Sequence, residues 1–231
     1  MIIDVVTIFP KMFSPVLGES MIKRAQDKGL VKINIHNLRD SASLPHRKVD
    51  APSYGGGGMV FKPEPLFAAV ESILGYNVYP KKKKDKSKKI ILLTPQGKTL
   101  NQGKVKRLLN FERLILLAPR YEGVDERVRK ELVEEEISLG DYILSGGELA
   151  SMVFIDCLCR LIPGVVSDSE SIKNESFEGE GLDFPHYTKP DDFRGLKVPE
   201  ILLSGNHGNI KAWRKREALE TTKKRRPDLL K

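Results

Sequence analysis

One stretch of eleven residues limits the folds open to this chain more than any other feature. It runs from Leu139 to Leu149, with the sequence LGDYILSGGEL, and joins an apolar run to a glycine pair and an acidic residue. Gly146 and Gly147 lose more backbone freedom on folding than other residues, and they permit positive φ or close approach of a bulky group. Glu148 puts a negative charge at the start of a helical pattern that reaches Arg160. The stretch predicts a strand, a tight glycine loop and a helix.

An ordinary turn between a strand and a helix explains that stretch equally well, so the rest of the chain has to decide. Residues 2–9 form an apolar, β-branched run, residues 16–25 repeat at helical spacing, and residues 31–35 alternate as a strand does. The runs at 90–93 and 114–118 are almost wholly apolar, as strands buried on both faces of a parallel sheet are. The pattern predicts an α/β domain with a parallel sheet.

Three polar or glycine-bearing loops follow predicted strands. They are Thr94 to Gly97, Pro119 to Gly123 and Ser145 to Gly147. In open parallel sheets ligands bind at the carboxyl ends of the strands. We therefore expect these three loops to face one pocket.

The helical pattern breaks at Pro163, and the following residues are rich in Ser, Glu, Asp, Gly and Asn, as linkers are. Beyond them, residues 210–221 form a basic helical pattern that contains Trp213. We expect one domain over residues 1–162, a linker over residues 163–184 and a small, mostly helical domain over residues 185–231.

Composition narrows the setting and the partner. No apolar run approaches the roughly 20 residues that cross a bilayer, and Met1 leads into a strand without a basic leader, so we expect a cytoplasmic protein with no membrane segment. The net charge of +8 predicts an anionic partner, with nucleic acid first and an acidic membrane surface second. The lysine run at 81–89 fits a solvated loop better than a nucleic-acid contact.

Several kinds of site are disfavoured by the motifs. The glycine run from Tyr54 to Met59 is not followed by the Gly-Lys-Ser/Thr of a nucleotide-binding loop, and no dinucleotide fingerprint opens a helix. The four histidines lack metal-ligand spacing, and no serine-centred elbow is present. What remains is a group of carboxylates and arginines in or beside the loops, most of them expected to form structural ion pairs.

Six motifs, taken together, resemble one known family. They are TPQG at 94–97, RYEGVDER at 120–127, GDYILSGGEL at 140–149, IPGV at 162–165, PHYTKP at 185–190 and LLSGNH at 202–207. Their order and spacing, which cover nearly the whole chain, are similar to those of bacterial tRNA (guanine-N1)-methyltransferases, the TrmD family. Each motif is weak evidence alone, whereas the set is highly specific.

The resemblance implies a fold and an activity that the residues alone do not give. The fold would be of the SPOUT class, a parallel α/β sheet with a C-terminal trefoil knot, followed by a small helical domain. The protein would be a homodimer with active sites at the subunit interface. It would transfer a methyl group from S-adenosylmethionine to N1 of the guanosine 3′ of the anticodon, at tRNA position 37.

The resemblance also assigns residues to each part of the site. The cofactor-binding positions would be Leu93, Thr94, Pro95, Pro119, Tyr121, Glu122, Gly123, Leu139, Gly140, Asp141, Tyr142, Ile143, Leu144, Gly146, Gly147 and Ala150. The tRNA-binding positions would be His186, Lys189, Ser204, Asn206, His207 and Arg214. Arg160 matches the catalytic arginine, and Glu175 stands where the family usually has its catalytic Asp; Asp183 and Asp168 are the alternatives for the base.

Some alternatives stay open at this point. The resemblance allows a Mg²⁺ requirement involving Glu122, although the chain shows no metal-ligand motif. Two other interpretations of the sequence are a non-catalytic RNA-binding SPOUT protein and a SPOUT methyltransferase of another RNA such as rRNA. Pro119 in place of the usual Gly, and Ala150 in place of a frequent Pro, depart from the family pattern.

Overall fold

The computed structural model describes residues 1–80, 85–166, 175–179 and 181–230. Within it the chain divides into two compact units, residues 1–166 and residues 167–231, which are called unit 1 and unit 2 below. Lys81 to Lys84 of the lysine run, and the alternative base Asp168, lie outside the described residues.

The described part of unit 1 alternates strands and helices. Its strands are β1 (Ile2–Thr7), β2 (Lys32–Asn37), β3 (Asp50–Pro52), β4 (Met59–Phe61), β5 (Lys88–Thr99), β6 (Arg113–Leu117) and β7 (Glu135–Ser138). Its helices are α1 (Ser14–Leu17), α2 (Ser20–Asp27), α3 (Pro63–Leu74), α4 (Gln102–Leu108), α5 (Glu126–Glu131) and α6 (Gly147–Cys159). Two short 3-10 helices, Pro10–Met12 and Leu38–Ser41, connect these elements.

Five of these strands form one parallel sheet in the order β2-β1-β6-β5-β7. Alternate residues of the central strands enter two separate apolar cores. Leu114 and Leu116 of β6 pack into the core shared with α2, α4 and α6, whereas Ile115 and Leu117 pack into the core shared with α3 and α5. The sheet is therefore covered on both faces, which confirms the prediction from the continuous apolar runs.

The predicted strand at 139–144 is wrong, because the strand before the glycine pair ends earlier. The strand β7 contains Glu135 and Glu136, whose carboxylates pair with Arg107 and Arg129. Because of these charges, β7 is not an apolar run, and the hydrophobic pattern did not predict it. After β7 the chain leaves the sheet, and residues 139–146 form an irregular loop in which Tyr142 N donates to Gly140 O (3.0 Å).

The predicted loop at 94–97 is part of β5 instead. Leu93 and Lys98 both pair with Ile137 of β7, so the four residues between them bulge out of the ladder. A Cβ added to Gly97 would lie 2.4 Å from Ile137 N. Backbone thus lies directly against backbone at Gly97, and no larger residue fits.

The glycine run forms the tip of a hairpin that the sequence did not predict. Strands β3 and β4 pair antiparallel, and the four glycines at 55–58 all have positive φ, between 83° and 97°. Positive φ costs glycine little, so the run serves a tight turn. It is not a phosphate-binding loop preceding a helix.

The described part of unit 2 contains short elements and one long helix. Its described elements are β8 (Asp192–Phe193), β9 (Leu196–Lys197), α7 (Glu200–Leu203), α8 (His207–Arg225) and a 3-10 helix (Pro227–Leu229). Asn206 caps α8, since its side chain accepts from Asn209 N at 3.1 Å. The basic helix predicted at 210–221 is confirmed and extended at both ends. In the described parts of both units, no helix is long and apolar enough to cross a membrane.

Candidate functional site

A cavity of about 330 Å³ opens at the carboxyl ends of β5, β6 and β7, beside the N-terminus of α6. It is called the first cavity below. Its walls include all three segments that the sequence predicted to face one pocket, the first of them as the bulge of β5, together with residues 137–144. The lining residues are Leu93, Thr94, Pro95, Gln96, Pro119, Arg120, Tyr121, Glu122, Gly123, Ile137, Ser138, Leu139, Gly140, Tyr142, Ile143, Leu144, Ser145, Gly146, Gly147 and Ala150.

The structure brings together all the predicted cofactor positions except Asp141, which is exposed in the same loop and is not a lining residue. Gln96, Arg120 and Ser145 were expected at the pocket as members of the three loops but were not among the predicted cofactor positions, and the β7 residues at 137–138 were missed altogether. The β7 residues were missed because that strand was missed. Gln96, Arg120 and Ser145 lie inside motifs already recognised, so their position between assigned residues was the available signal.

Gly146 and Gly147 are required by neighbouring protein atoms. A Cβ on Gly147 would lie 2.6 Å from Ala118 Cα, and the Gly147 N–H donates to Pro119 O at 2.7 Å. A Cβ on Gly146 would lie 2.5 Å from Glu148 Oε2. Gly146 has φ near 176°, which is ordinary extended backbone, so of the two roles predicted for these glycines it is close approach that applies there. The pair lets the start of α6 pack directly on the end of β6.

Glu148 is a buried carboxylate in the first turn of α6, with a relative exposure of 1%. The Thr7 hydroxyl donates to its Oε1 at 2.9 Å, and Arg120 Nε donates to its Oε2 at 3.1 Å. The Arg120 guanidinium also lies 4.4 Å from the centroid of the Phe9 ring. The acidic helix start is therefore confirmed, and its charge fixes one arginine of the cavity wall.

The loop at 120–125 is joined to the β3–β4 hairpin. Phe61 N donates to Gly123 O (2.9 Å), and Glu122 N donates to Met59 O (3.1 Å). Tyr121 has a φ of 60°, and its hydroxyl bonds to Asp50, which raises the pKa of Tyr121. The hairpin thus fixes a strained backbone position in the cavity wall.

Arg160 lies at the opposite end of α6 from the first cavity. The helix has 13 residues, and at a rise of 1.5 Å per residue it is about 20 Å long. Arg160 is its half-buried C-cap residue and is not among the described residues that line the cavity. Within one subunit the predicted catalytic arginine is therefore remote from the predicted cofactor site.

The two candidate bases among the described residues, Glu175 and Asp183, belong to unit 2. Asp183 is engaged by both carboxylate oxygens, since Oδ1 accepts from Phe184 N at 2.7 Å and Oδ2 lies 2.8 Å from His186 Nε2. Its backbone N–H donates to Ser176 Oγ at 3.0 Å. Glu175 begins the short described segment 175–179 and is half-buried. Asp183 thus already orders a turn, whatever its chemical role.

Unit 2 has a cavity of its own, of about 350 Å³, which is called the second cavity. Of the predicted tRNA-binding residues, His186, Lys189 and Arg214 line it. The other three lie at the junction of α7 and α8. There the Ser204 hydroxyl donates to Ile201 O at 2.7 Å, and Asn206 caps α8. Contacts of any of these residues with RNA stay a prediction.

A family model for tRNA (Guanine-1)-methyltransferase TrmD matches residues 1–231. This chain belongs to the TrmD family. It is 51% identical over 229 residues to a protein of Dehalococcoides mccartyi and 52% identical over 229 residues to one of Dictyoglomus turgidum. Each alignment covers 99% of this chain, and 90% and 89% of the respective relative. A relative from Moorella thermoacetica is 51% identical over 231 residues, which cover 99% of this chain and 89% of that protein.

All three relatives are named tRNA (guanine-N(1)-)-methyltransferase. The family resemblance drawn from the six motifs is thereby confirmed. The departure at 119 is accommodated, because Pro119 contributes to the loop through its carbonyl, which accepts from Gly147, and a proline lacks only the N–H.

Metal-binding and thiol chemistry find little support in the described residues. Among them, no three His, Cys, Asp or Glu side chains form a group that would hold a metal ion. Burial raises the pKa of Cys159 to about 12 and also raises the pKa of Cys157, so both thiols are poor nucleophiles near neutral pH. A Mg²⁺ requirement involving Glu122 stays a prediction.

Proposed function

We propose that this protein transfers a methyl group from S-adenosylmethionine to N1 of the guanosine 3′ of the anticodon, at position 37 of tRNA. The observation that carries the proposal is the first cavity, where three motifs separated in sequence meet at the carboxyl ends of β5, β6 and β7. Family membership supports the same activity. A tRNA substrate also supports a cytoplasmic location.

The walls of the first cavity fit a nucleoside-containing cofactor. Its volume lies in the range of small-molecule sites, and apolar side chains line it at Leu93, Ile137, Leu139 and Leu144. Such side chains suit an adenine face, and backbone groups of the surrounding loops suit its polar edge. When bound there, S-adenosylmethionine supplies an electrophilic sulfonium methyl group.

The chain itself has to remove a proton. N1 of neutral guanine carries a hydrogen, so a base must take it as the new bond to carbon forms. We assign this step to Glu175, which stands where the family usually has Asp. Its side chain is longer than that of Asp by one methylene. Asp183, whose carboxylate oxygens contact Phe184 N and His186 Nε2, is the alternative base. Loss of the proton leaves negative charge on the guanine ring, and this charge spreads to guanine O6. The Arg160 guanidinium would stabilise it there.

The distance along α6 supports a homodimeric site. Arg160 lies about 20 Å from Gly147 in its own subunit. One face of α6 is apolar yet exposed, with Leu149 and Val153 each 48% accessible at i, i+4 spacing. If two copies of this face pack about a two-fold axis with antiparallel helices, Arg160 of the partner subunit comes to the first cavity.

Subunit complementation tests the shared site. Arg160→Ala removes the guanidinium, and Ser145→Trp puts a bulky ring at an exposed lining position of the first cavity. We expect each variant alone to be inactive, and refolding the two together to restore about a quarter of wild-type activity, because half of the random dimers contain one complete site. No recovery from verified heterodimers would place Arg160 in the site of its own subunit.

Light scattering tests the assembly itself. We expect a particle of twice 26.0 kDa for the wild type. Val153→Glu would put a charge into the proposed apolar interface, and we expect it to give an inactive monomer. A wild-type monomer with full activity would contradict the homodimer.

The SPOUT knot is part of the same proposal. The bulge at 94–97, the direct backbone contact at Gly97 and the loop at 139–146 support it, because they place several chain segments around one strand end. With the knot, residues 1–162 are the cofactor domain, residues 163–184 the linker or lid, and residues 185–231 the tRNA-binding domain.

Mapping the modified nucleotide tests the function. Deproteinised total RNA is incubated with the enzyme and methyl-labelled S-adenosylmethionine, digested and analysed by mass spectrometry. We expect N1-methylguanosine in tRNA, 3′ of the anticodon. Label in rRNA would support the second alternative, and absence of any label the non-catalytic one. Repeating the reaction with EDTA tests the Mg²⁺ requirement.

Single-turnover kinetics test the base. Glu175→Gln keeps the shape of the side chain but cannot accept the proton, so we expect methylation to slow by about 10²-fold or more with cofactor affinity unchanged. We expect a similar loss for Arg160→Ala. Near-normal turnover in Glu175→Gln, together with an inactive Asp183→Asn, would move the base to Asp183.

A further inference from the structure

We infer that the second cavity is a binding site for one unstacked nucleotide of the RNA substrate, held by stacking as well as by charge. The inference rests on the proposed function for the identity of the RNA. It goes beyond that function because it assigns a side-chain cavity, within unit 2 alone, to a base away from the reacting guanine.

The chemistry of the cavity wall points to this ligand. Four rings meet there together with two cationic side chains, and the rings are those of Phe184, His186, Tyr187 and Trp213. The cations are Lys189 and Arg214, and one acid, Asp191, accompanies them. Flat π-faces beside positive charge fit a nucleobase with its phosphate, since every base has a face to stack and every nucleotide carries a negative charge.

In one half of the ring cluster the rings already contact each other, tilted by 41°, and hold Arg214 in place. The guanidinium lies 4.7 Å from the centroid of Phe184, and the Phe184 ring lies 4.6 Å from that of His186. His186 is oriented in turn by Asp183, 2.8 Å away. A guanidinium held by a ring loses little freedom on binding, so Arg214 is prepared to meet a phosphate or a base edge.

The other half offers a free stacking surface. Tyr187 is 51% exposed, and its ring lies 6.4 Å from that of the half-buried Trp213, tilted by 55°. A large exposed aromatic ring backed by a second ring is a stacking platform of the kind that single-stranded nucleic acids use. A second apolar chain segment would have less use for the neighbouring cations.

Charge on the helix behind the cavity favours the same occupant. Helix α8, which supplies Trp213 and Arg214, carries seven Lys and Arg residues against two Glu. An RNA backbone that follows this helix would be attracted over its length, and the second cavity would receive a base that leaves the stack.

Salt-dependent binding of a full-length tRNA transcript to the full-length protein tests the inference. Stacking and charge predict different signatures. Tyr187→Ala removes a stacking face and should weaken binding about tenfold at every salt concentration, with the salt slope unchanged. Arg214→Ala should weaken binding and reduce the salt slope by about 1.

Two variants serve as controls. Phe193→Ala removes another exposed aromatic ring of unit 2 that is not a lining residue, so it should bind as the wild type does. Trp213→Phe keeps a ring and should bind within about threefold, which separates stacking from a folding defect in unit 2. Thermal unfolding confirms that each variant is folded.

The outcomes separate this inference from the proposed function. If Tyr187→Ala binds RNA as tightly as Phe193→Ala does, the nucleotide site is overturned. If N1 methylation continues in the same variant, the proposed function is left intact. A changed oligomeric state of Tyr187→Ala with unchanged RNA affinity would identify a protein segment as the occupant and also overturn it. A wild type that does not methylate guanosine would instead count against the proposed function.

Discussion

The first and second cavities have nearly the same volume, about 330 and 350 Å³, but their walls consist of different chemical groups. The first is shaped by backbone at the ends of buried strands, with glycines where two chain segments touch. The second is shaped by aromatic and basic side chains on short, exposed elements. The first site should therefore be destroyed by adding atoms, and the second by removing them.

Their surroundings explain the difference. The loops of the first cavity start from strands whose side chains fill two apolar cores, so their positions are fixed by packing. Among the described residues of unit 2, Thr222 alone is buried. A small unit with a small core tolerates more change in backbone position, and its specificity has to come from side chains.

The largest effect should come from Gly97→Ala. The added Cβ would meet the backbone of residues 136–137 at 2.4 to 2.6 Å, and neither segment can move without breaking the β5–β7 ladder. We expect the free energy of unfolding to fall by about 3 kcal/mol or more, with loss of S-adenosylmethionine binding. Thermal unfolding and calorimetry measure the two quantities.

Gly103→Ala is the matched control. Gly103 lies in α4, where a Cβ would have its nearest contact at 3.6 Å, and alanine is the better helix former. We expect stability to rise by about 0.5 to 1 kcal/mol. If both alanine variants behave alike, the close contact at Gly97 is not what shapes the first cavity.

A smaller effect should follow from Glu148→Gln. The amide can still accept from Thr7, but its NH₂ group would face Arg120 Nε, donor against donor. We expect the KM for S-adenosylmethionine to rise about tenfold with kcat within twofold, because the arginine of the cavity wall loses its anchor while the reacting groups stay. Steady-state kinetics at saturating tRNA measure both.

Thr7→Val is the control for that prediction. It removes the other hydrogen bond of Glu148, together with the bond that Phe9 N donates to Thr7 Oγ1, and leaves the pair of Glu148 with Arg120 in place. We expect stability to fall by about 1 kcal/mol and the KM to change less than twofold. A KM that rises equally in both variants would show that Glu148 acts on the fold as a whole rather than on Arg120.

The smallest effect should come from single charges in unit 2. Lys211 and Lys215 are exposed on α8, and replacing either with Ala should weaken tRNA binding about two- to threefold and reduce the salt slope by about 1. Lys23→Ala in unit 1, where Lys23 pairs with Asp27 at 2.6 Å, should leave the slope unchanged. Equal slopes for all three proteins would remove α8 from the RNA-binding surface.

The sequence predicted the parallel sheet well and the close contacts poorly. Runs such as 90–93 and 114–118 are buried on both faces, so their composition reports their position directly. Strand β7 was missed because Glu135 and Glu136 are charged, and they are half-buried only because they pair with Arg107 and Arg129 of two neighbouring helices. Periodicity has no information about such partners.

The candidate site was predicted largely through the resemblance to a family. That route gave the lining residues, but no pattern along the chain could show that Gly146 and Gly147 face Arg120, Glu148 and Ala118. The position of Arg160 shows the same limit. It follows the glycine pair closely in sequence, yet a helix of 13 residues separates the two in space.

Calorimetric titration of S-adenosylmethionine, without RNA, into two variants tests the division between the cavities most directly. Ser145→Trp obstructs the first cavity, and Tyr187→Ala alters only the second. We predict no detectable binding to Ser145→Trp and wild-type affinity in Tyr187→Ala, with both proteins folded. Wild-type affinity in Ser145→Trp, or its loss in Tyr187→Ala, would contradict the assignment of the cofactor to the first cavity.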